Sequence, residues 1–195
     1  MIMSPVRPKS APPDDGPPAH DDGTPADLRG LIDFLNSRAS AKRPERFDTP
    51  DHAARFLSLC DLHYDNRPLS TADTRRLQRL RDALMHALNH QPDDGPWAAV
   101  NAITATVPVH LHTAAGPTVG LRAARDNPAD VIIVSVLDQV LRATATGRWD
   151  RLGACARCQR VFYDNTRSHT RRWCSYATCG NRANVSNYRN RIRST

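Results

Sequence analysis

Apolar positions along this chain fall into several short helix-like stripes and one alternating stretch, before cysteine and arginine take over at the C-terminal end. The run Leu28-Arg29-Gly30-Leu31-Ile32-Asp33-Phe34-Leu35-Asn36 places apolar side chains at 28, 31, 32, 34 and 35, mostly at helical spacing, and predicts a short helix. Thr49 followed by Pro50 reads as an N-cap with proline in the first helical position. From there Ala53, Phe56, Leu57, Cys60 and His63 or Tyr64 share one stripe, which predicts a helix through Tyr64. Ser70 or Thr71 caps a longer run to about His90, in which Leu77, Leu80, Leu84 and Leu88 repeat at spacings of 3 and 4. Arg75, Arg76, Arg79 and Arg81 fall largely outside that stripe. Pro92-Asp93-Asp94-Gly95-Pro96 breaks the chain, and Trp97 to Ala105 reads as another short helix.

Between Thr106 and Leu121 the period changes to two. Val107, Val109 and Leu111 alternate with other residues, Gly116-Pro117 turns the chain, and Val119 and Leu121 resume, which predicts a β-hairpin. A last long helix is predicted from Asn127-Pro128 to about Thr146. It is almost wholly apolar from Val131 to Leu137 and so belongs at the centre of a core. Residues 1–27 hold seven of the fifteen prolines and almost no large apolar side chain, too little to offset the entropy of ordering. The pattern predicts an α+β chain in three parts. Residues 1–27 form a disordered leader, residues 28–150 a mostly α-helical domain with a small antiparallel hairpin, and residues 151–195 a C-terminal module ending in a helix.

Charge separates these parts. Residues 1–27 carry a net −3, residues 28–150 a net +1, and residues 151–195, with ten arginines against one aspartate, a net +9. A basic segment of that density points to a polyanionic partner, most often nucleic acid, against the bland alternative of a solvated basic face. The N-terminus has no apolar run of signal-peptide length, and Val131 to Leu137 is far too short to cross a bilayer. The expectation is a cytoplasmic protein with no membrane partner, associated with the nucleoid when bound to DNA.

Four of the five cysteines lie between positions 155 and 179, a clustering that in a reducing compartment reads as metal binding rather than disulfides. Cys155-x2-Cys158, fifteen intervening residues and Cys174-x4-Cys179 make two pairs that can close a tetrahedron. One structural Zn2+ is the expected ion, because four thiolates fill every position and leave none for catalytic water. Iron and a redox dithiol satisfy the same spacing and are disfavoured beside a basic helix; His169, between the pairs, is a weaker candidate for replacing a thiolate. The ion's job would be folding, since a 45-residue segment has little core of its own.

Between the pairs, Arg160 to Asp164 reads as a short strand and Thr166 to Arg172 as a basic loop. Beyond Cys179, at roughly 100° per residue, Val185, Tyr188 and Ile192 fall within a ~60° arc and predict a helix packed on the knuckle. On the same wheel Arg182, Arg189 and Arg193 form a row within about 40°. With Arg167, Arg171 and Arg172 on the neighbouring loop, this row is the candidate nucleic-acid contact: guanidinium forks pair with phosphates and with guanine.

These residues carry a resemblance. The pattern C-x2-C, F-x-D, R-x-W-C-S and C-G-N-R, borne by Cys155, Cys158, Phe162, Asp164, Arg171, Trp173, Cys174, Ser175 and Cys179 to Arg182, resembles the CGNR zinc-finger family. Asp33-Phe34-Leu35-Asn36, the Leu77 to Leu88 helix, the hairpin and the long helix resemble the ABATE domain that accompanies that finger. The resemblance covers about residues 28–193. It implies a bacterial DNA-binding transcription regulator of the stress-induced kind, with the finger on duplex DNA and the larger domain sensing a small-molecule ligand or forming a homodimer. One departure is that Asn184 and Ser186 stand where the family usually carries Lys or Arg, which implies fewer phosphate contacts.

The remaining candidates read as structural. Cys60-Asp61-Leu62-His63 invites a Cys/His catalytic reading, but its thiol lies on an apolar stripe and a buried structural cysteine is expected. His110 and His112 share one face of a strand, two ligands without a third, and are expected to be exposed. There is no phosphate-cradling glycine loop, G-x-S-x-G or H-E-x-x-H, and the sequence predicts no enzyme. Two further classes stay open beside the DNA-binding regulator. One is an RNA-binding module stacking bases on Tyr163, Trp173 and Tyr188, and the other a zinc-stapled protein-interaction or dimerisation domain.

Overall fold

The computed structural model describes residues 20, 23–40, 43–89, 95–113, 119–183 and 185. Among these, the elements run α1 (Arg29–Leu35), α2 (Pro50–Leu57), α3 (Thr71–Asn89), α4 (Gly95–Thr104), β1 (Val109–Thr113), β2 (Val119–Ala123), α5 (Pro128–Ala145), β3 (Leu152–Ala154) and β4 (Val161–Tyr163). The strands form two antiparallel pairs, β1 with β2 and β3 with β4, so the architecture is the expected α+β. Most of the leader, the hairpin tip at Gly116-Pro117 and the C-terminal arginines Arg189 and Arg193 lie outside the described residues.

Local chemistry starts the helices where the sequence places its signals. Thr49 Oγ1 accepts the His52 N–H at 3.2 Å and Asn127 Oδ1 accepts the Asp130 N–H at 3.1 Å, each with proline next in line. Ser70 and Asp73 form a reciprocal box in which Ser70 Oγ accepts the Asp73 N–H and Asp73 Oδ2 accepts the Ser70 N–H at 2.8 Å. The core is centred on α3 and α5, where Leu77, Leu80, Leu84, Ile132, Ile133 and Val136 are fully buried. Phe47, from the loop after α1, closes one end by lying 5.6 Å from the Phe34 ring and 6.0 Å from Phe56.

Two expectations are corrected. The second helix stops at Leu57 rather than Tyr64, because the next backbone groups are spent on other elements: the Asp61 carbonyl accepts from Gln139 Nε2 at 2.8 Å and the His63 N–H donates to Ser135 Oγ at 2.8 Å. Arg81, expected outside the α3 stripe, is 3% exposed. Its guanidinium pairs with Glu45, donates to Asp82 at 3.0 Å and to Ser37 Oγ at 3.3 Å, and lies 5.7 Å over the Phe47 ring. A helical wheel does not see Ser37, Glu45 and Phe47, which the loop after α1 brings over α3.

Gly30 marks where α1 meets the chain after α2. A Cβ there would sit 2.1 Å from the Asp61 carbonyl oxygen, a backbone atom, and 2.7 Å from Gln139 Nε2, while Gln139 Oε1 accepts the Leu31 N–H at 2.7 Å. Gly30→Ala is therefore expected to cost about 1–3 kcal/mol of overpacking. Urea denaturation checks this; a change below about 0.5 kcal/mol would show that the segment after α2 yields freely.

The C-terminal strands are not an appendage. Leu152, Val161 and Tyr163 belong to the main core, whereas Phe162, pointing the other way from β4, packs with Cys155, Cys174, Trp173 and Cys179. Asn36, just past α1, acts as a miniature strand partner: its Nδ2 donates to the Val161 carbonyl at 3.0 Å and its Oδ1 accepts the Val161 N–H at 2.8 Å. The helical domain thus grips the first sheet of the cysteine module through side chains and backbone together.

Candidate metal centre

β3 runs directly into Cys155, and a tight turn brings Cys158 back beneath it. The Gln159 N–H bonds the Cys155 carbonyl and the Cys155 N–H bonds the Arg160 carbonyl, both at 2.9 Å, with Gln159 in the left-handed region at φ 59°. The second pair comes from Cys174 and from Cys179 in a single π-helical turn, Tyr176–Gly180. That turn is capped by Ser175, whose carbonyl accepts the Cys179 N–H at 2.9 Å and whose Oγ accepts the Thr178 N–H at 3.3 Å. The two halves are tied by the Ala156 N–H on the Arg172 carbonyl at 3.0 Å.

All four Sγ atoms lie within 4.8 Å of one another. Cys174 Sγ stands 3.6 Å from Cys158 Sγ and 3.8 Å from Cys179 Sγ. A zinc tetrahedron with Zn–S near 2.3 Å has edges of about 3.8 Å, so the sulfurs fit such an ion; a disulfide would need about 2.0 Å. Burial disfavours the Cys155 thiolate, but the N–H groups of Cys158, Cys174 and Arg157 aimed at the sulfur outweigh it and bring the thiol down to about 6. Burial and then the adjacent Cys158 sulfur push Cys174 up, and burial likewise raises Cys158. Thiolates packed this closely repel, and a divalent cation among them removes that cost.

The surrounding motif residues hold the cysteines. Asp164, 6% exposed, accepts the Thr166 N–H and hydroxyl through Oδ1 at 2.9 and 2.6 Å and the Arg171 N–H through Oδ2 at 2.9 Å. Burial works against its charge, but these bonds hold the carboxyl below its ordinary value. Arg171 turns inward: Nε donates to the Trp173 carbonyl at 2.8 Å, Nη2 to the Cys174 carbonyl, and the guanidinium lies 4.9 Å over the Phe162 ring. Gly180 is buried, and a Cβ there would stand 2.8 Å from the Tyr176 ring and 3.2 Å from that of Trp173, which leaves no room for a side chain. These contacts give F-x-D, R-x-W-C-S and the glycine of C-G-N-R a structural account.

Arg167, Arg172 and Arg182 are exposed on this module, Arg172 with its guanidinium 5.5 Å over the Trp173 ring. Arg157, inside the first cysteine pair, is exposed too, and its place between two ligands is the sequence signal for it. Residues 181–183 and 185 are helical, and the rest of the tail, with Tyr188, Arg189, Ile192 and Arg193, lies outside the described residues. Tyr163, expected to stack on bases, is 9% exposed and points into the main core. His169 is exposed and outside the four-sulfur group.

Cys60, expected to be buried on a helical stripe, is half-buried and lies past the end of α2. Cys60 Sγ donates to the Phe56 carbonyl at 3.3 Å, and burial, with Asp33 and Asp61 nearby, pushes its thiol up, the opposite of activation. His110 and His112 are exposed on β1. A cleft of about 370 Å³ lies between residues 63–67, β2 and α5, lined by His63, Arg122, Arg125 and Asp138 among others; Arg67 at its rim is paired with Asp65 and Asp126. Among the described residues no helix is long and apolar enough to cross a membrane.

The family model of the CGNR zinc finger matches residues 151–192, and that of the ABATE domain, described as "Putative stress-induced transcription regulator", matches residues 28–158. The two overlap on 151–158, where β3 leads into the first cysteine pair. No curated protein matches the chain.

Proposed function

The chain belongs to the ABATE family, and from that premise we propose that it is a bacterial, stress-induced transcription regulator whose C-terminal finger, built on one structural zinc ion, binds duplex DNA. The observation that carries the reading is the set of exposed arginines, Arg157, Arg167, Arg172 and Arg182, on a knuckle whose buried groups are spent on holding it together. Bound by Cys155, Cys158, Cys174 and Cys179, zinc supplies folding energy and no chemistry, since four thiolates leave no open position. Arg171 braces the second cysteine pair from within, and Arg189 and Arg193, which the sequence adds to the basic set, lie outside the described residues. The helical domain, fastened to β4 through Asn36, is the part that would sense a ligand or form a dimer.

The test is duplex DNA binding as a function of salt. About six phosphate contacts give a slope of log K against log salt near −5. Arg182→Ala and Arg189→Ala each reduce that slope by about 1 while leaving one zinc per chain. Absence of preference for any genomic fragment over bulk DNA at ~150 mM salt overturns the reading. Single-stranded RNA as competitor separates an RNA module from a DNA one, and burial of Tyr163 removes one of the three rings an RNA module would have used. A zinc-stapled interaction domain would show no steep salt dependence.

A further inference from the structure

β1 pairs with β2 alone, and among the described residues its outer edge has no strand beside it. The Leu121 N–H is donated to Asp138 Oδ1 on α5 at 3.2 Å and the Ala124 N–H to the Pro108 carbonyl at 2.9 Å. Residues 108, 110 and 112 therefore form the hydrogen-bonded pairs with β2, whereas Val109, Leu111 and Thr113 turn their N–H and C=O groups away from it. Among the described residues no hydrogen bond reaches those outward groups. On one face of this strand Leu111 is 78% and Val109 44% exposed, with Val119 on β2 57% exposed. On the other face stand His110 and His112, both exposed, with Arg122 opposite the first and Gly120 opposite the second. Arg142 and Asp138 of α5 flank Gly120 on that side.

Val-His-Leu-His-Thr is self-complementary when laid antiparallel on itself. With a two-fold axis through Leu111, Leu111 faces the partner's Leu111, Val109 faces the partner's Thr113, and His110 faces the partner's His112. The outward groups of Val109, Leu111 and Thr113 would then make the inter-strand hydrogen bonds. Each His110–His112 cross-pair would fall in the non-hydrogen-bonded position, where Cβ atoms approach to about 4.5–5.5 Å. Imidazole nitrogens bind zinc at about 2.0–2.1 Å, and two such pairs side by side on one face supply four of them.

We propose that His110 and His112 are half of a transition-metal site completed by the same two residues of a second copy, so that one divalent ion and the antiparallel pairing of two β1 strands form together. Among the described residues these two histidines have no third ligand beside them, which makes the second copy part of the site. Imidazole selects zinc, nickel or copper over magnesium or calcium. The pairing also covers Leu111, the most exposed of the large apolar side chains among the described residues, and consumes an edge that would otherwise invite aggregation. The proposal is independent of the DNA reading, because it is tested on metal content and mass alone.

The experiment uses the full chain with one zinc per finger, titrated with additional Zn2+ and followed by sedimentation equilibrium and metal analysis. The wild type is expected to take up one further ion for every two chains. Its dimer dissociation constant falls about a hundredfold when free zinc exceeds the site's own dissociation constant by that factor. The His110→Ala/His112→Ala double variant keeps its finger zinc and loses both responses. Leu111→Lys, which retains both histidines, loses them as well. Additional zinc bound by a monomer, uptake that persists in the histidine variant, or a dimer constant indifferent to zinc overturns the proposal.

Discussion

Removing the metal from the finger, by chelation or by Cys174→Ser, is expected to lower the stability of the helical domain together with that of the finger. Cys174 is buried and its sulfur lies within 3.8 Å of those of Cys158 and Cys179, so serine there breaks the centre of the cluster. Once the ion is gone, Phe162 loses the knuckle it packs on, and Val161 and Tyr163 on the same three-residue strand lose the other half of their support. Structural zinc contributes about 10–16 kcal/mol in finger peptides, against a total stability of about 5–15 kcal/mol for a domain. A loss of about 5 kcal/mol or more is expected, lowering the midpoint by about 10–20 °C. The far-ultraviolet helical signal is the right probe, because α1 to α5 all lie between Arg29 and Ala145, outside the finger. Zinc content near zero with an unchanged helical transition would contradict the shared core, and restored zinc should restore the midpoint in the chelated wild type.

Asn36→Ala is expected to cost about 2–4 kcal/mol, because it orphans both the N–H and the carbonyl of Val161, itself 1% exposed. The urea midpoint reads the loss, and zinc content stays at one per chain. Asn36→Asp keeps the acceptor for the Val161 N–H, places a carboxylate against the Val161 carbonyl, and should be no better than alanine. If Asn36 is the clasp between the two parts, its effect and that of chelation will be less than additive, since each removes support from the same strand. Full additivity would mean that β4 is held by the core alone.

Legibility in the sequence followed the range of the interaction. The helix starts at Thr49, Ser70 and Asn127 and the stripes on α3 and α5 were readable because caps and periodicity act within a few residues. The four cysteines were readable because a metal imposes spacing on its ligands. β3 was missed: Leu152-Gly153-Ala154 is three residues long, and it is a strand only because β4 pairs with it and α3 packs behind. The inward turn of Arg171 and the burial of Arg81 were missed for a related reason. An arginine in a basic loop or on a polar helix face looks solvated until Phe162 with the Trp173 carbonyl, or Phe47 with Glu45, is brought to it.

The sequence alone determined the inventory: where helices begin, which thiols can share an ion, and that the positive charge gathers around them. Each of these depends on neighbours a few residues away or on ligand chemistry that tolerates few substitutes. Only the tertiary structure decided that Asn36 closes on Val161 across 125 positions of chain and that one strand faces a leucine core on one side and a sulfur cluster on the other. It also decided which arginines are spent indoors. Those outcomes are set by burial, where a polar group must find its partner wherever the fold delivers one, and no local pattern records that meeting.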